Sequence, residues 1–269
     1  MKYNPLLQYY EEQQKTFLLW FNNSLEDQDI ENIHQLRVSI KKLRATWSLM
    51  QFISQKQWSK KPHRKLYSTI FKPAGRLREA QINHELIQKH PAHYLETYVD
   101  FLIQQQEDST KELVKAMKDF DFKELERLNK QLIKEFEDIP NETILNRSMQ
   151  YLDKEIQKIY GFMEALPDDY ILHKIRINLK ILVEVLAIIR SLNSRSGLAR
   201  YATKIKSINS KIGTWHDSVI LTDSLTHFLN DQDYKKNIKL FRNKISKMTQ
   251  VQNDKQENIQ KMLPKYLER

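Results

Sequence analysis

The sequence predicts an all-α protein built from two copies of one helical unit. Three observations carry this reading. Glycine (four) and proline (seven) are scarce in 269 residues. Apolar residues recur at helical spacing, and strand-and-turn punctuation is missing. A motif near residue 34 also returns 139 positions later. Asp, Asn and Ser at cap positions, together with the prolines, mark helix starts and stops. In chain order they predict helices near 5–25, 30–54, 61–73, 77–89, 92–118 and 121–137, then 142–165, 168–192, 198–212, 216–229 and 234–262. The best internal boundary is Asp138-Ile139-Pro140-Asn141, where one helix must end and another can be capped. The chain therefore reads as one domain over 1–269, with a first repeat of about 1–139 and a second of about 140–269.

The repeat rests on an alignment without gaps. Ile33-His34-Gln35-Leu36-Arg37-Val38-Ser39-Ile40-Lys41 matches Leu172-His173-Lys174-Ile175-Arg176-Ile177-Asn178-Leu179-Lys180, apolar residue for apolar residue. The same offset pairs Lys56 with Arg195, Lys61 with Arg200, Lys65 with Lys204 and Lys72 with Lys211. One residue of slippage then pairs Gly75 with Gly213 and Arg78-Glu79 with His216-Asp217. Six cations coincide, where random placement would match about two, so duplication is the better explanation.

Charge is sorted the same way. Residues 32–78 hold twelve Lys or Arg and no acid; residues 170–216 hold nine and one acid, Glu184. The two windows together carry +20 while the whole chain carries +10, so the remainder is acidic. On a helical wheel Leu36, Ile40, Leu43, Trp47 and Met50 form a core stripe. His34, Arg37, Lys41 and Arg44 share a separate arc of about 80°, centred roughly 120° away. Ile175, Leu179, Leu182, Leu186 and Ile189 repeat the stripe, and His173, Arg176 and Lys180 repeat the arc. Ile181, Val185 and Ile188 make the second helix apolar nearly all round, as in a buried helix. Cations on a buried helix need a counter-charge. Glu184 can pair with Lys180 at i,i+4, but the first window offers no acid, which points to an extended anionic ligand.

At these residues the sequence resembles the CHAD family (conserved histidine α-helical domain). Its H-x-x-R-V-x-x-[RK]-[RK]-L-R-type segment reads His34-Gln35-Leu36-Arg37-Val38-Ser39-Ile40-Lys41-Lys42-Leu43-Arg44 here, with a weaker copy at His173–Lys180. A G-x-x-[RH]-D-type segment follows as Gly213-Thr214-Trp215-His216-Asp217 and, with Glu for Asp, as Gly75-Arg76-Leu77-Arg78-Glu79. The resemblance implies two pseudo-symmetric helical bundles whose basic residues line a central groove or pore for inorganic polyphosphate. It assigns binding to His34, Arg37, Lys41, Arg44, His173, Arg176 and Lys180, with Lys65, Lys72, Lys204 and Lys211 secondary. Ile181 and Val183 stand where the family carries basic residues, so the second half is expected to grip more weakly. Polyphosphate offers charge but no base to read, so binding should weaken steeply with salt. Acid pH should tighten it if His34 and His173 contribute.

The alternative reading is a nucleic-acid backbone-binding module, since the same cations suit phosphodiesters. Against it, no aromatic is interleaved with the basic arc: Trp47 lies on the core stripe and Trp215 in the Gly-His-Asp segment. Catalysis has little footing. Clustered glycines for a phosphate loop are absent, there is no cysteine, and no Ser nucleophile motif occurs. Neither metal nor cofactor is expected, because each motif brings one His surrounded by cations. His84-Glu85 lacks the second His of a zincin and reads as a solvated helix face, while His90-Pro91-Ala92-His93 reads as a loop. Asp168-Asp169 reads as a helix cap. The family's fusion partner, a triphosphate tunnel metalloenzyme domain with an E-x-E-x-K segment, is not seen, so a stand-alone module is expected. No signal peptide and no apolar run near 18 residues is visible, which predicts a cytoplasmic, non-membrane protein. Targeting to polyphosphate granules stays open.

Overall fold

The computed structural model describes residues 4–89, 92–166, 168–193, 197–231 and 237–268. Among these residues there are helices and no strands. In order they are α1 (Pro5–Glu26), α2 (Ile30–Ile53), α3 (Lys61–Gln88), a 3₁₀ turn (His93–Leu95), α4 (Glu96–Lys118) and α5 (Phe122–Phe136). Then come α6 (Asn141–Met163), α7 (Asp169–Leu192), α8 (Ala199–Asp231) and α9 (Ile238–Leu267).

Short polar side chains set the starts. Asn4 accepts from the amides of Leu6 and Leu7 at 3.1 Å each, with Pro5 filling the first helical position. Asp29 accepts from Asn32 N at 2.6 Å, and Asp121 from Glu124 N at 2.9 Å. The predicted cap at Asp168 is present, accepting from Tyr170 N at 2.7 Å. Pro140 occupies the N-cap of α6, at the expected boundary.

Two predicted breaks do not occur. The segments 61–73 and 77–89 form one helix, α3, which runs through Pro73 and Gly75; 198–212 and 216–229 likewise join as α8, through Gly213. Glycine costs a helix interior about 1 kcal/mol relative to alanine, which packing can offset, and the site below gives the reason. Of the predicted loop at 90–93, Ala92 precedes the 3₁₀ turn, while His90 and Pro91 lie outside the described residues. The last helix runs to Leu267, through Pro264, rather than ending at 262.

Four helices meet at the centre: α2 packs on α7 and α3 on α8, with α1 and α6 each touching both α2 and α7. The two stripes read from the sequence are fully buried. Leu36, Ile40, Leu43, Trp47 and Met50 share one continuous core with Ile175, Leu179, Leu182, Leu186 and Ile189. A smaller apolar cluster joins the far ends of α3, α4, α8 and α9 around Tyr98, Leu225 and Phe241. With α2 and α7 anchored by one face each, their basic arcs can turn only toward α3, α8 and each other.

Candidate functional site

The site is assembled from two arginines seated on two glycines. Arg37 of α2 reaches α3 and donates from Nη1 to the carbonyl of Phe71 at 3.0 Å. A Cβ at residue 75 would stand 2.6 Å from that same nitrogen. Gly75 is therefore a place where a guanidinium lies against helix backbone. In the second half Arg176 of α7 approaches α8 in the same sense, 3.5 Å from where a Cβ on Gly213 would be. The glycines that read as helix breaks are thus landing sites inside helices. Phe71 also lies between two cations, with the Arg37 and Arg44 guanidinium carbons each 4.7 Å from its ring centroid. An aromatic does join the basic arc, contributed by α3, but the arginines occupy it.

Lys41 and Lys180 are the most perturbed cations. Burial lowers the Lys41 amine to about 7, aided by Lys180, Arg37 and Arg176 and opposed by Asp217. Burial likewise brings Lys180 down to about 8, with Arg176 and Arg37 lowering it further and Asp217 opposing. Arg37 is pushed down to about 10 by burial, with Arg78 and Arg44 adding to the effect and Glu79 opposing. The named residues come from α2, α3, α7 and α8, so cations from both predicted repeats act on one another.

The counter-charge is not wholly missing. Asp217 sits among Arg176, Lys180, Lys41 and Arg78, and Glu79 faces Arg37; burial raises both carboxyls against those cations. Three acids, Asp217, Glu79 and Glu85 (3.7 Å from Arg78), with Asp223 beside Glu79, oppose five cations, Arg37, Lys41, Arg78, Arg176 and Lys180. Among the described residues none of the five makes a close ion pair with Asp217 or Glu79. Buried donors also lack partners: Arg78 Nε, Arg176 Nε and His173 Nδ1 make no hydrogen bond. Each such donor is costly unless a ligand or water meets it. Glu184 does not serve Lys180. It accepts from Tyr9 Oη of α1 at 2.9 Å, with Lys42 and Lys206 as its charged neighbours.

The histidines are held neutral. Burial lowers His34 and His173, reinforced by Arg78 and Lys41 at the first and by Arg176 and Lys180 at the second. His216, its ring tilted 40° to that of His173 at 4.6 Å between centroids, is driven to about 3 by burial and the same two cations. Near neutral pH these rings can donate or accept a hydrogen bond but carry no charge. Among the described residues no three His, Asp or Glu side chains are grouped to hold a metal ion. His84 is half-buried rather than solvated, its ring nitrogens meeting Gln88 and Gln106.

The secondary assignments divide. Lys65, Lys72 and Lys211 are exposed on the outer faces of α3 and α8. Lys204 donates to the carbonyl of Glu268 at 3.2 Å, tying α8 to the chain's end. None of the four is among the charges acting on Lys41 or Lys180. Conversely, Arg78, His216, Asp217 and Glu79 belong to the centre although the first motif alone did not select them. Their signal was the second motif, aligned as Gly75–Glu79 and Gly213–Asp217.

Among the described residues no helix is long and apolar enough to cross a membrane. Among curated proteins, none matches the sequence. The fold is similar to the crystal structure of the CHAD domain from the plant Ricinus communis, with a TM-score of 0.82 at 14% identity over 98% of this chain and 90% of that one. The CHAD domain family model matches residues 8–226, which include both histidine helices and both glycine segments. On that match the chain belongs to the CHAD domain family.

Proposed function

We propose that the protein binds inorganic polyphosphate along the cations that α2 and α7 present to each other, without catalysis. The observation that carries this is the meeting of Lys41 and Lys180 in a half-buried site where the five cations outnumber the acids that face them. An extended chain of phosphates supplies negative charge at several points at once. Its oxygens can accept from Arg78 Nε, Arg176 Nε and, in the tautomer with the proton there, His173 Nδ1, atoms that make no hydrogen bond within the protein. Membership of the CHAD family agrees with this ligand. A binder of this kind would accumulate wherever long chains are stored, polyphosphate granules included.

A competition titration tests the reading. Labelled long-chain polyphosphate, bound at two salt concentrations, is challenged with duplex DNA, RNA and pyrophosphate at equal total phosphate. Polyphosphate alone should compete well, with a steep salt dependence. Arg37→Ala or Arg176→Ala should lower affinity and reduce the salt slope by about one. Equal competition by RNA or DNA would replace the proposal with nucleic-acid binding.

The two glycines give a second, asymmetric test. Gly75→Ala drives its methyl into the tip of Arg37, which can swing aside, so the fold survives while the Phe71 bond is lost. The helix-propensity gain of about 0.5–1 kcal/mol offsets that bond, leaving stability near wild type. Polyphosphate affinity should fall about tenfold, since a charged contact is displaced. Gly213→Ala makes only an ordinary 3.5 Å contact with Arg176 and should keep affinity while gaining stability. Chemical denaturation and titration of both variants read the difference; equal affinities would show that Arg37 need not hold its seat.

A further inference from the structure

Beyond the centre, the described residues hold another cationic cleft, of about 530 Å³, between the C-terminal end of α2 and α6. Lys56, Lys60, Arg147, Lys154 and Lys158 line it, with one acid, Glu155, already bound by Lys158. Arg147 donates to the carbonyl of Ile53, and Lys60 Nζ to Ser48 Oγ at 3.1 Å, so these two are fixed in the wall. Lys56 and Lys154 are exposed, the latter with its amine 5.1 Å from the Phe52 ring centroid. Lys56 follows the turn that ends α2, at φ 69°, and so projects beyond the helix.

This cleft is linked to the centre by an unbroken line of neighbouring cations. Arg37 and Arg44 flank Phe71. Arg64 acts on Arg44, and Lys60 lies within the field of Arg44, Arg64 and Lys158. No acid intervenes between Arg37, Arg44 and Arg64, and Glu155 opposes the cations where the line reaches Lys60. The second half lacks three cations of this line. At the repeat offset, Val183 stands for Arg44, Thr203 for Arg64 and Ala199 for Lys60. Solvent at the exposed Arg64, together with Glu155 near Lys60, eases the repulsion, but a row of cations present on one side only suits an anionic ligand that runs along that side.

Resting on the polyphosphate reading, we infer that a long chain leaves the central cluster asymmetrically, passing Arg44, Arg64 and Lys60 into the cleft between α2 and α6. From Lys41 to Phe52 is eleven residues of helix, about 16 Å, so chain length becomes a determinant of affinity. Long chains engage both places through one ligand, with the second contact made at high effective concentration.

The double variant Lys56→Ala/Lys154→Ala tests this, because both side chains are exposed and their loss leaves the core untouched. Long-chain polyphosphate should bind about tenfold more weakly, with a salt slope shallower by about two. Tripolyphosphate, too short to span the distance, should keep its tightest binding. Unchanged long-chain affinity, an equal loss for both lengths, or a loss confined to RNA would each overturn the inference. The central reading fails by a different result, full long-chain affinity in Lys41→Met/Lys180→Met.

Discussion

Replacing Lys41 and Lys180 together by methionine should nearly abolish polyphosphate binding and, at pH 6, make the unliganded protein more stable. Each lysine is an ionic contact worth about 1.5–3 kcal/mol when desolvated, so affinity should fall at least a hundredfold. The stability gain follows from the direction of the pKa shifts. Both folded amines titrate below the ordinary lysine value, Lys41 at about 7 and Lys180 at about 8. Folding therefore disfavours their charged forms. That cost is fully present below pH 7 and disappears as pH rises through the unfolded value, about 10.4. Methionine keeps the length of the stem and removes the cost. Replacing buried ionic groups by apolar ones of similar volume stabilises by about 1–4 kcal/mol in favourable cases. Asp217 is not stranded, since Arg176 and Arg78 remain beside it. Thermal unfolding at pH 6 and pH 10 checks the expectation: the advantage should be large at the first and much smaller at the second. A variant less stable at both would show that the amines hold the four helices together rather than strain them.

Gly75 shows where sequence reasoning reaches and where it stops. Its alignment with Gly213 was legible, because a repeat is a property of the sequence itself. Its meaning was not, because glycine reads as punctuation until the partner that needs the missing side chain is seen, here Arg37 Nη1, 2.6 Å from where a Cβ would stand. The core stripes of α2 and α7 were legible for a simpler reason. Helical period fixes which residues share a face, and a face that apolar is buried. Glu184 could not be assigned in the same way. Its i,i+4 neighbour Lys180 was the nearest candidate in sequence, but Tyr9, 175 positions away, holds it instead. The counter-charges Asp217 and Glu79 escaped for a different reason, since the basic windows 170–216 and 32–78 each stop one residue short of them. The wheel placed His34, Arg37, Lys41, His173, Arg176 and Lys180 on two arcs. Only packing α2 against α7 brings those arcs to one place and separates them from Lys65, Lys72 and Lys211.

Binding should weaken from pH 7 upward, most steeply between about 8 and 10, and lysine rather than histidine should set that dependence. In the free protein Lys41 is half-protonated at about 7 and Lys180 at about 8. A bound phosphate chain is an opposite charge beside each amine and returns both toward their ordinary value. Above the free values and below the bound ones, each lysine takes up a proton on binding, and affinity falls up to tenfold per pH unit for each. From pH 7 to pH 9 the total loss is on the order of a hundredfold or more. Internal phosphates of the chain keep constant charge over that window, so the ligand adds no slope of its own. His34 and His173, already below 6.5 in the free protein, can add a second tightening only on the acid side. Calorimetry at pH 8 in two buffers of different ionisation enthalpy should report net proton uptake. Lys41→Arg/Lys180→Arg keeps the charges, cannot titrate there, and should flatten the profile while still binding. Absence of uptake in wild type would mean that the chain does not lie against these two amines, whatever its affinity for the protein.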